Sequence, residues 1–366
     1  GADRQADYTR YDASSDKTTQ HDDDDYEYGA QVIQALTPAD NNVLRIGALY
    51  HRWVVPDGKR FYTGRPVDIH TISAVAVDEQ TFDKLTVDAG LRVSREYVEE
   101  FGAFSIEGSG GGFRSVEAIE DDWAEPLYRA NLGARYAALD TLTVYGNYGF
   151  GHVEPRDGSV TEDAREPDQE QRHAVDGGIR FNCPFGGTCK LGGFYTLRRD
   201  AIVLTGGTFV DADGFEREYY GNRDVEQYGI ELDCRSPEIF GCATLFWSAL
   251  LMDSRIEDSS GDETDYAEVP DEILTAGVYL DVGRFDVNAF GKYVGSYEND
   301  RFTASGEPEP LGDYTDINLT AGVRLGRERN TRVYGKVENI LNDDYSTVVG
   351  FYDPGRRVSV GVQHVF

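Results

Sequence analysis

Residues 332–366 read RVYGKVENILNDDYSTVVGFYDPGRRVSVGVQHVF. This stretch predicts two strands around one loop. In the last strand Val358, Val360, Val362, His364 and Phe366 fall on one face, and Arg357, Ser359, Gly361 and Gln363 on the other. Successive residues of a strand point to opposite sides, so one face is apolar and the other polar. Two architectures fit. One is a half-buried antiparallel sheet in water. The other is a membrane barrel whose apolar face meets lipid.

The same alternation runs outward through the chain. Leu85, Val87, Ala89, Leu91 and Val93 alternate with Thr86, Asp88, Gly90, Arg92 and Ser94, a period of two. Strands are predicted at Ala6–Tyr11, Tyr26–Leu36, Val43–Trp53, Ile69–Val77, Leu85–Ser94, Leu127–Ala137, Leu142–Phe150, Arg172–Asn182 and Lys190–Leu204. Further ones follow at Arg223–Asp233, Ala243–Met252, Glu272–Asp281, Phe285–Gly295 and Asp316–Leu325, before the closing pair. That makes about sixteen. Between them, short turns alternate with long polar loops such as HDDDD (21–25), SIEGSGGGFRSVEAIEDDW (105–123) and TGGTFVDADGFEREYYGN (205–222). An antiparallel meander with every short turn at one end gives this alternation. A soluble sandwich has no reason to segregate its turns, whereas a transmembrane barrel does so.

Composition agrees. Among 366 residues there are 41 Gly, 23 Tyr and 18 Phe but one Met, which suits strands, tight turns and interfacial girdles. The longest nearly apolar run, Ala243–Met252, is half the roughly 20 residues a membrane helix needs. Insertion into a membrane would therefore be by a closed barrel, because open sheet edges do not sit in lipid. The net charge of −31, from 66 acidic and 35 basic residues, disfavours nucleic-acid binding. It equally suits a salt-adapted surface or a set of acidic exposed loops. The four cysteines fall into two local pairs, Cys183/Cys189 and Cys234/Cys242. Of the three connectivities, two local bridges are expected, in an oxidising compartment. No zinc-ligand spacing is present.

From Val333 onward the sequence resembles the C-terminal end of TonB-dependent outer-membrane receptors. VYGKVENILNDDY is similar to their penultimate strand, and GFYDPGRRVSVGVQHVF to the following loop and the closing strand. Val337, Glu338, Asn339, Tyr345, Pro354, Gly355, Arg356 and Phe366 stand at the matching places. The resemblance implies an all-β fold: an antiparallel transmembrane β-barrel with about 16 strands present of 22, and the plug domain absent. Residues 1–366 would then be one outer-membrane barrel domain, N-terminally incomplete. The implied function is energised uptake of a scarce nutrient. An iron–siderophore complex comes first, with haem, cobalamin or an oligosaccharide behind it. The implied partners are outer-membrane lipid, lipopolysaccharide and the TonB energy complex, reached through the missing plug. The rival is a passive, self-closing sixteen-stranded porin. No nucleophile triad and no pair of catalytic carboxylates is visible, so an enzyme is not expected.

Ligand-binding candidates follow from position. Arg92, Arg135, Arg180, Arg324 and Lys336 lie on the parity opposite the apolar residues. They are expected either to steer an anionic ferric complex or to pair with carboxylates such as Asp88 and Glu338. His51, His70 and His152 lie near the outer strand ends, and Phe351 and Tyr352 are loop aromatics able to stack on a ligand. No cofactor is expected apart from loop-bound calcium. Its candidates are Asp258, Asp262, Glu263 and Asp265, ahead of the solvated run Asp22–Asp25.

Overall fold

The computed structural model describes residues 2–12, 17–56, 66–101, 104–108, 112–116, 119–155, 159–184, 186–210, 216–257, 263–266, 269–299, 309–348 and 351–365. Among these there is no helix, and sixteen of the 24 strands span eight residues or more. The strands pair antiparallel with their sequence neighbours. Two compact units divide the chain.

In the first unit, Ala2–Asp12, Lys17–Ala39, Asn42–Val55, Val67–Phe82 and Leu85–Phe101 form a meander. Its registers align whole rows of side chains. Val32, Ala48, Ala74 and Val93 form one row, and Gln31, Leu49, Ser73 and Ser94 form the next, on the opposite face. Val32 is 74% exposed and Leu91 51%, while Ser73 and Ser94 are 3% and 7% exposed. Apolar side chains thus point out and hydroxyls point in, the reverse of a water-soluble sheet. That inversion is what a lipid-facing wall requires.

The second unit repeats the pattern through Ala243–Glu257, Glu272–Val282, Phe285–Val294, Tyr314–Leu325, Thr331–Glu338 and Arg357–His364. In the closing strand Val358, Val360 and Val362 are 70%, 78% and 68% exposed. Val337 stands opposite Val358, and Val333 opposite Val362.

Two-residue turns join several strands, among them Asp83–Lys84 and Gly283–Arg284. Asp83 and Gly283 take φ of 52° and 68°, the left-handed geometry that tight hairpins demand. Strand starts after such turns match the sequence reading at Leu85, Leu142 and Phe285. The loop-side ends do not, because pairing outlasts the apolar pattern. The strand read as Tyr26–Leu36 runs Lys17–Ala39, so the HDDDD run expected as loop continues a strand paired with Ala2–Asp12. Lys190–Leu204 becomes Thr188–Val210. Within the Gly-rich loop, Phe104–Gly108 and Gly112–Val116 form a hairpin. Beyond the lipid layer, backbone hydrogen bonds keep a strand together and its side chains need not be apolar.

A buried cluster of Val55, Val67, Ile69, Phe101, Val160, Phe209 and Tyr219 lies in the first unit. It joins the loop-side ends of three strands to the 159–166 segment and to the Thr188–Val210 and Glu216–Arg235 strands. In the same unit Glu170, 2% exposed, is held by Arg172 at 2.6 Å and by Arg198 at 2.8 Å.

The expected local disulfides Cys183–Cys189 and Cys234–Cys242 are not formed. The bond joins Cys189 to Cys234, 45 residues apart, with Cα atoms 4.1 Å apart, and Cys183 and Cys242 are free thiols. Cys189 opens the Thr188–Val210 strand and Cys234 closes the Glu216–Arg235 strand. The bridge therefore links two long strands, where the sequence spacing had pointed to links across turns. Closing a 45-residue loop limits the unfolded chain by on the order of 2–4 kcal/mol. Cys234→Ser is expected to lower stability by that order in urea unfolding of the lipid-reconstituted protein. Non-reducing peptide mapping should find Cys189 and Cys234 in one linked species and alkylate Cys183 and Cys242.

Candidate functional site

Arg92 projects from the Leu85–Phe101 strand onto the polar face. Its Nε donates to Ser94 Oγ and its Nη2 to Ser73 Oγ, both at 3.0 Å. The two hydroxyls are themselves 2.9 Å apart. Gln31, His51, Thr71 and Ser73 border a concavity with Arg92. Among the described residues no carboxylate pairs with this guanidinium. The expected partner Asp88 instead accepts from Asn131 at 3.4 Å. Arg92 is thus fixed in direction by neutral groups, its guanidinium a ready donor for an anionic oxygen.

Arg324, Arg332 and Lys336 of the polar face are neutralised within their own unit, whereas Arg180 makes no ion pair among the described residues. Arg324 makes a two-point contact with Asp281 at 2.9 Å. Asp286, 4% exposed, accepts from Arg332 and lies 3.7 Å from Arg324. Lys336 sits 2.7 Å from Glu338. For these the pairing expectation holds.

The histidines divide. His51 borders the Arg92 concavity. His152 lies on the apolar parity of the Leu142–Val153 strand, edge-on to Tyr128 at 5.8 Å and Phe150 at 5.2 Å, with a buried Nδ1. It belongs to an aromatic girdle that includes Tyr148 and His173, so the expected ligand role loses its geometric basis. Aromatic rings at strand ends are interface anchors. Phe351 and Tyr352 form a short strand paired with Ser346–Val348, and their side chains lie outside the described residues. Asp258, Asp262 and the Glu263 side chain also lie outside them, and Asp265 is exposed at the end of the Glu263–Asp265 strand. Among the described residues no group of acids close enough to hold a metal ion forms around Asp265.

The closing motif is a hydrogen-bonded knot. Asn339, 2% exposed at φ 49°, donates Nδ2 to Asp343 O at 2.8 Å and to Asp353 Oδ1 at 3.3 Å. Its Oδ1 accepts from Asp343 N at 2.9 Å, and its backbone N donates to Asn318 Oδ1 at 3.3 Å. Gly355, at φ 76°, donates to Asp353 Oδ1 at 2.9 Å, and Arg356 N donates to Asn342 Oδ1 at 3.1 Å. The Tyr345 ring stacks on Tyr314 at 3.9 Å. Burial, with Asp316 and Asp353 nearby, pushes its phenol up to about 12. Val337 and Glu338 complete the strand pairing with Val358 and Arg357. Pro354 precedes the turn, and Phe366 lies outside the described residues. These residues tie their own loop to the wall. Ser73 and Ser94, which hold Arg92, carry no motif. Their only sequence signal is sharing the parity of Arg92.

Comparison with known proteins bears on identity. A family model described as "TonB dependent receptor-like, beta-barrel" matches residues 1–340. No curated protein matches. Among solved structures, the copper transporter OprC superposes with a TM-score of 0.74 at 15% identity, over 96% of this chain and 58% of that one. The FrpB iron transporter from Neisseria meningitidis (F3-3 variant) gives 0.69 at 14%, over 96% and 56%. The ferric yersiniabactin uptake receptor FyuA from Yersinia pestis gives 0.69 at 14%, over 95% and 55%. At such identities the likeness establishes the fold. The chain spans a little over half the length of these structures.

The Asn339 knot yields a measurable cost. Asn339→Ala leaves buried partners unsatisfied, at about 1–3 kcal/mol. The midpoint of urea unfolding in lipid vesicles should fall accordingly. Strand content by far-ultraviolet circular dichroism should be unchanged below the transition.

Proposed function

We propose a function from one premise: the chain belongs to the TonB-dependent receptor β-barrel family. That family resides in the outer membrane of Gram-negative bacteria and is one of receptors and transporters, not enzymes. On our reading this barrel takes up a scarce nutrient, an anionic ferric–siderophore complex in the first place. Haem, cobalamin or an oligosaccharide are the other cargo classes. The observation that carries the reading is Arg92, a guanidinium aimed by Ser73 and Ser94 and lacking a carboxylate partner among the described residues.

The division of labour follows. The wall and outer loops bind the cargo, and Arg92 supplies a charge-assisted contact to a hydroxamate, catecholate or carboxylate oxygen. Arg324, Arg332 and Lys336, held by their own carboxylates, shape the lumen without competing for the anion. Energised release rests with a plug and the TonB complex, which the family resemblance implies. The net charge of −31 repels an anion at long range, so encounter is slowed at low salt.

Tryptophan-fluorescence titration of the whole receptor in detergent tests this. Arg92→Ala should weaken an anionic ferric complex about 10-fold or more, the weight of one hydrogen bond to a charged group. A neutral complex should be nearly unaffected. The association rate of the anionic complex should rise with added salt. Unchanged affinity in Arg92→Ala would sink the cationic-contact reading. Steady large conductance in planar bilayers would favour a passive pore instead.

A further inference from the structure

The loop-side ends of three strands of the first unit carry a second polar constellation, on the apolar-parity face and away from Arg92. Arg52, His70 and Tyr97 stand opposite one another across the Asn42–Val55, Val67–Phe82 and Leu85–Phe101 strands. A bulge follows. Asp68 pairs with Glu100 and Ile69 with Val98, leaving Glu99 as the extra residue. Bulges redirect side chains, and this one turns the Glu99 carboxylate to His70, with Oε2 2.9 Å from Nε2. Asp68 Oδ1 lies 3.7 Å from the same nitrogen. One nitrogen and two carboxylates thus offer ligand atoms within 4.8 Å of one another.

From this geometry we propose that Asp68, His70 and Glu99 form a binding site for a divalent first-row transition-metal ion, with Zn²⁺ as the probe. Mixed nitrogen and carboxylate donors suit such ions better than calcium or magnesium, which prefer all-oxygen shells. Bonds of about 2.0–2.2 Å require only that the three side chains close slightly on a common centre. Three protein ligands leave a fourth position open, on the side where Glu99 is 48% exposed.

The surroundings fit. The Tyr50 hydroxyl lies 2.8 Å from His70 Nδ1. It donates to that nitrogen when Nε2 carries the proton, and accepts from it when Nε2 is free to ligate. A fixed partner on the second ring nitrogen is the usual support of a metal-bound histidine. Without metal, the carboxylates are held by Arg52, whose Nε donates to Asp68 at 2.7 Å and whose Nη2 donates to Glu99 at 3.2 Å. Arg52 is itself steadied by Tyr28 at 2.8 Å. A guanidinium and a divalent ion compete for the same oxygens, so Arg52 weakens metal binding while keeping the empty site folded. The ion would staple the ends of two strands, through Asp68 and His70 of one and Glu99 of the other, just beyond the apolar layer and on the face opposite Arg92.

Competition titration with a chromogenic zinc chelator, on the full-length protein in detergent, decides the matter. One zinc per chain is expected. His70→Ala should abolish binding or weaken it at least 10-fold, as should Glu99→Gln. Arg52→Gln should tighten it severalfold. Zinc should raise the thermal midpoint of the wild type and not of His70→Ala, whose strand content by circular dichroism verifies folding. Zinc binding that survives His70→Ala, or that Arg52→Gln leaves unchanged or weakens, would overturn the site. Absence of binding at micromolar zinc would do the same. None of these readouts depends on cargo, so this inference and the uptake reading fail separately.

Discussion

Every backbone N–H and C=O that enters hydrocarbon must find a partner in the chain, and this constraint governs the rest of the protein. Antiparallel pairing meets it, and pairing fixes parity. Once Gln31, Leu49, Ser73 and Ser94 stand in one row, Val32, Ala48, Ala74 and Val93 stand in the other. A slip of one residue in any strand would carry serines to lipid and valines to the polar face. The exposures of Val32 and Ser73, 74% and 3%, are two sides of the same register. In water such a wall would be unstable, because its largest apolar surface faces outward. In lipid that surface is the stabilising one.

Charge is arranged by the same parity. Carboxylates outnumber basic groups by 66 to 35, and several basic groups of the polar face meet an acid. Asp281 and Asp286 stand in register opposite each other, and between them they hold Arg324 and Arg332. Arg92 meets Ser73 and Ser94. Whether an arginine here is offset by a carboxylate depends on which side chains the neighbouring positions place beside it. The buried Glu170 shows the converse. Its removal from water is offset only because Arg172 and Arg198 reach it together.

The sequence is legible where lipid selects side chains and opaque where it does not. Strand starts beside tight turns, such as Leu85 and Phe285, coincide with the onset of alternation, since the apolar layer begins there. Outer strand ends are hidden, because Lys17–Asp25 pairs through its backbone while its side chains are polar. Lateral contacts are hidden as well. Cys189 finds Cys234 because two strands bring them side by side, a fact that the spacing of either local pair does not contain. His70 and Glu99 are 29 positions apart and meet at a bulge, which no local pattern announces. His152 misleads for the opposite reason. Its place near an outer strand end was legible, but parity assigns it to the apolar face with Tyr128 and Phe150.

The closing motif and Arg92 are held in different ways. Asn339 spends its amide on Asp343 and Asp353, and Gly355 and Arg356 turn their N–H groups back on the same loop. Arg92, by contrast, is held by two hydroxyls. The two differ in what they are hydrogen-bonded to: groups of its own loop in the first case, and neutral hydroxyls that leave a charge without a carboxylate partner among the described residues in the second.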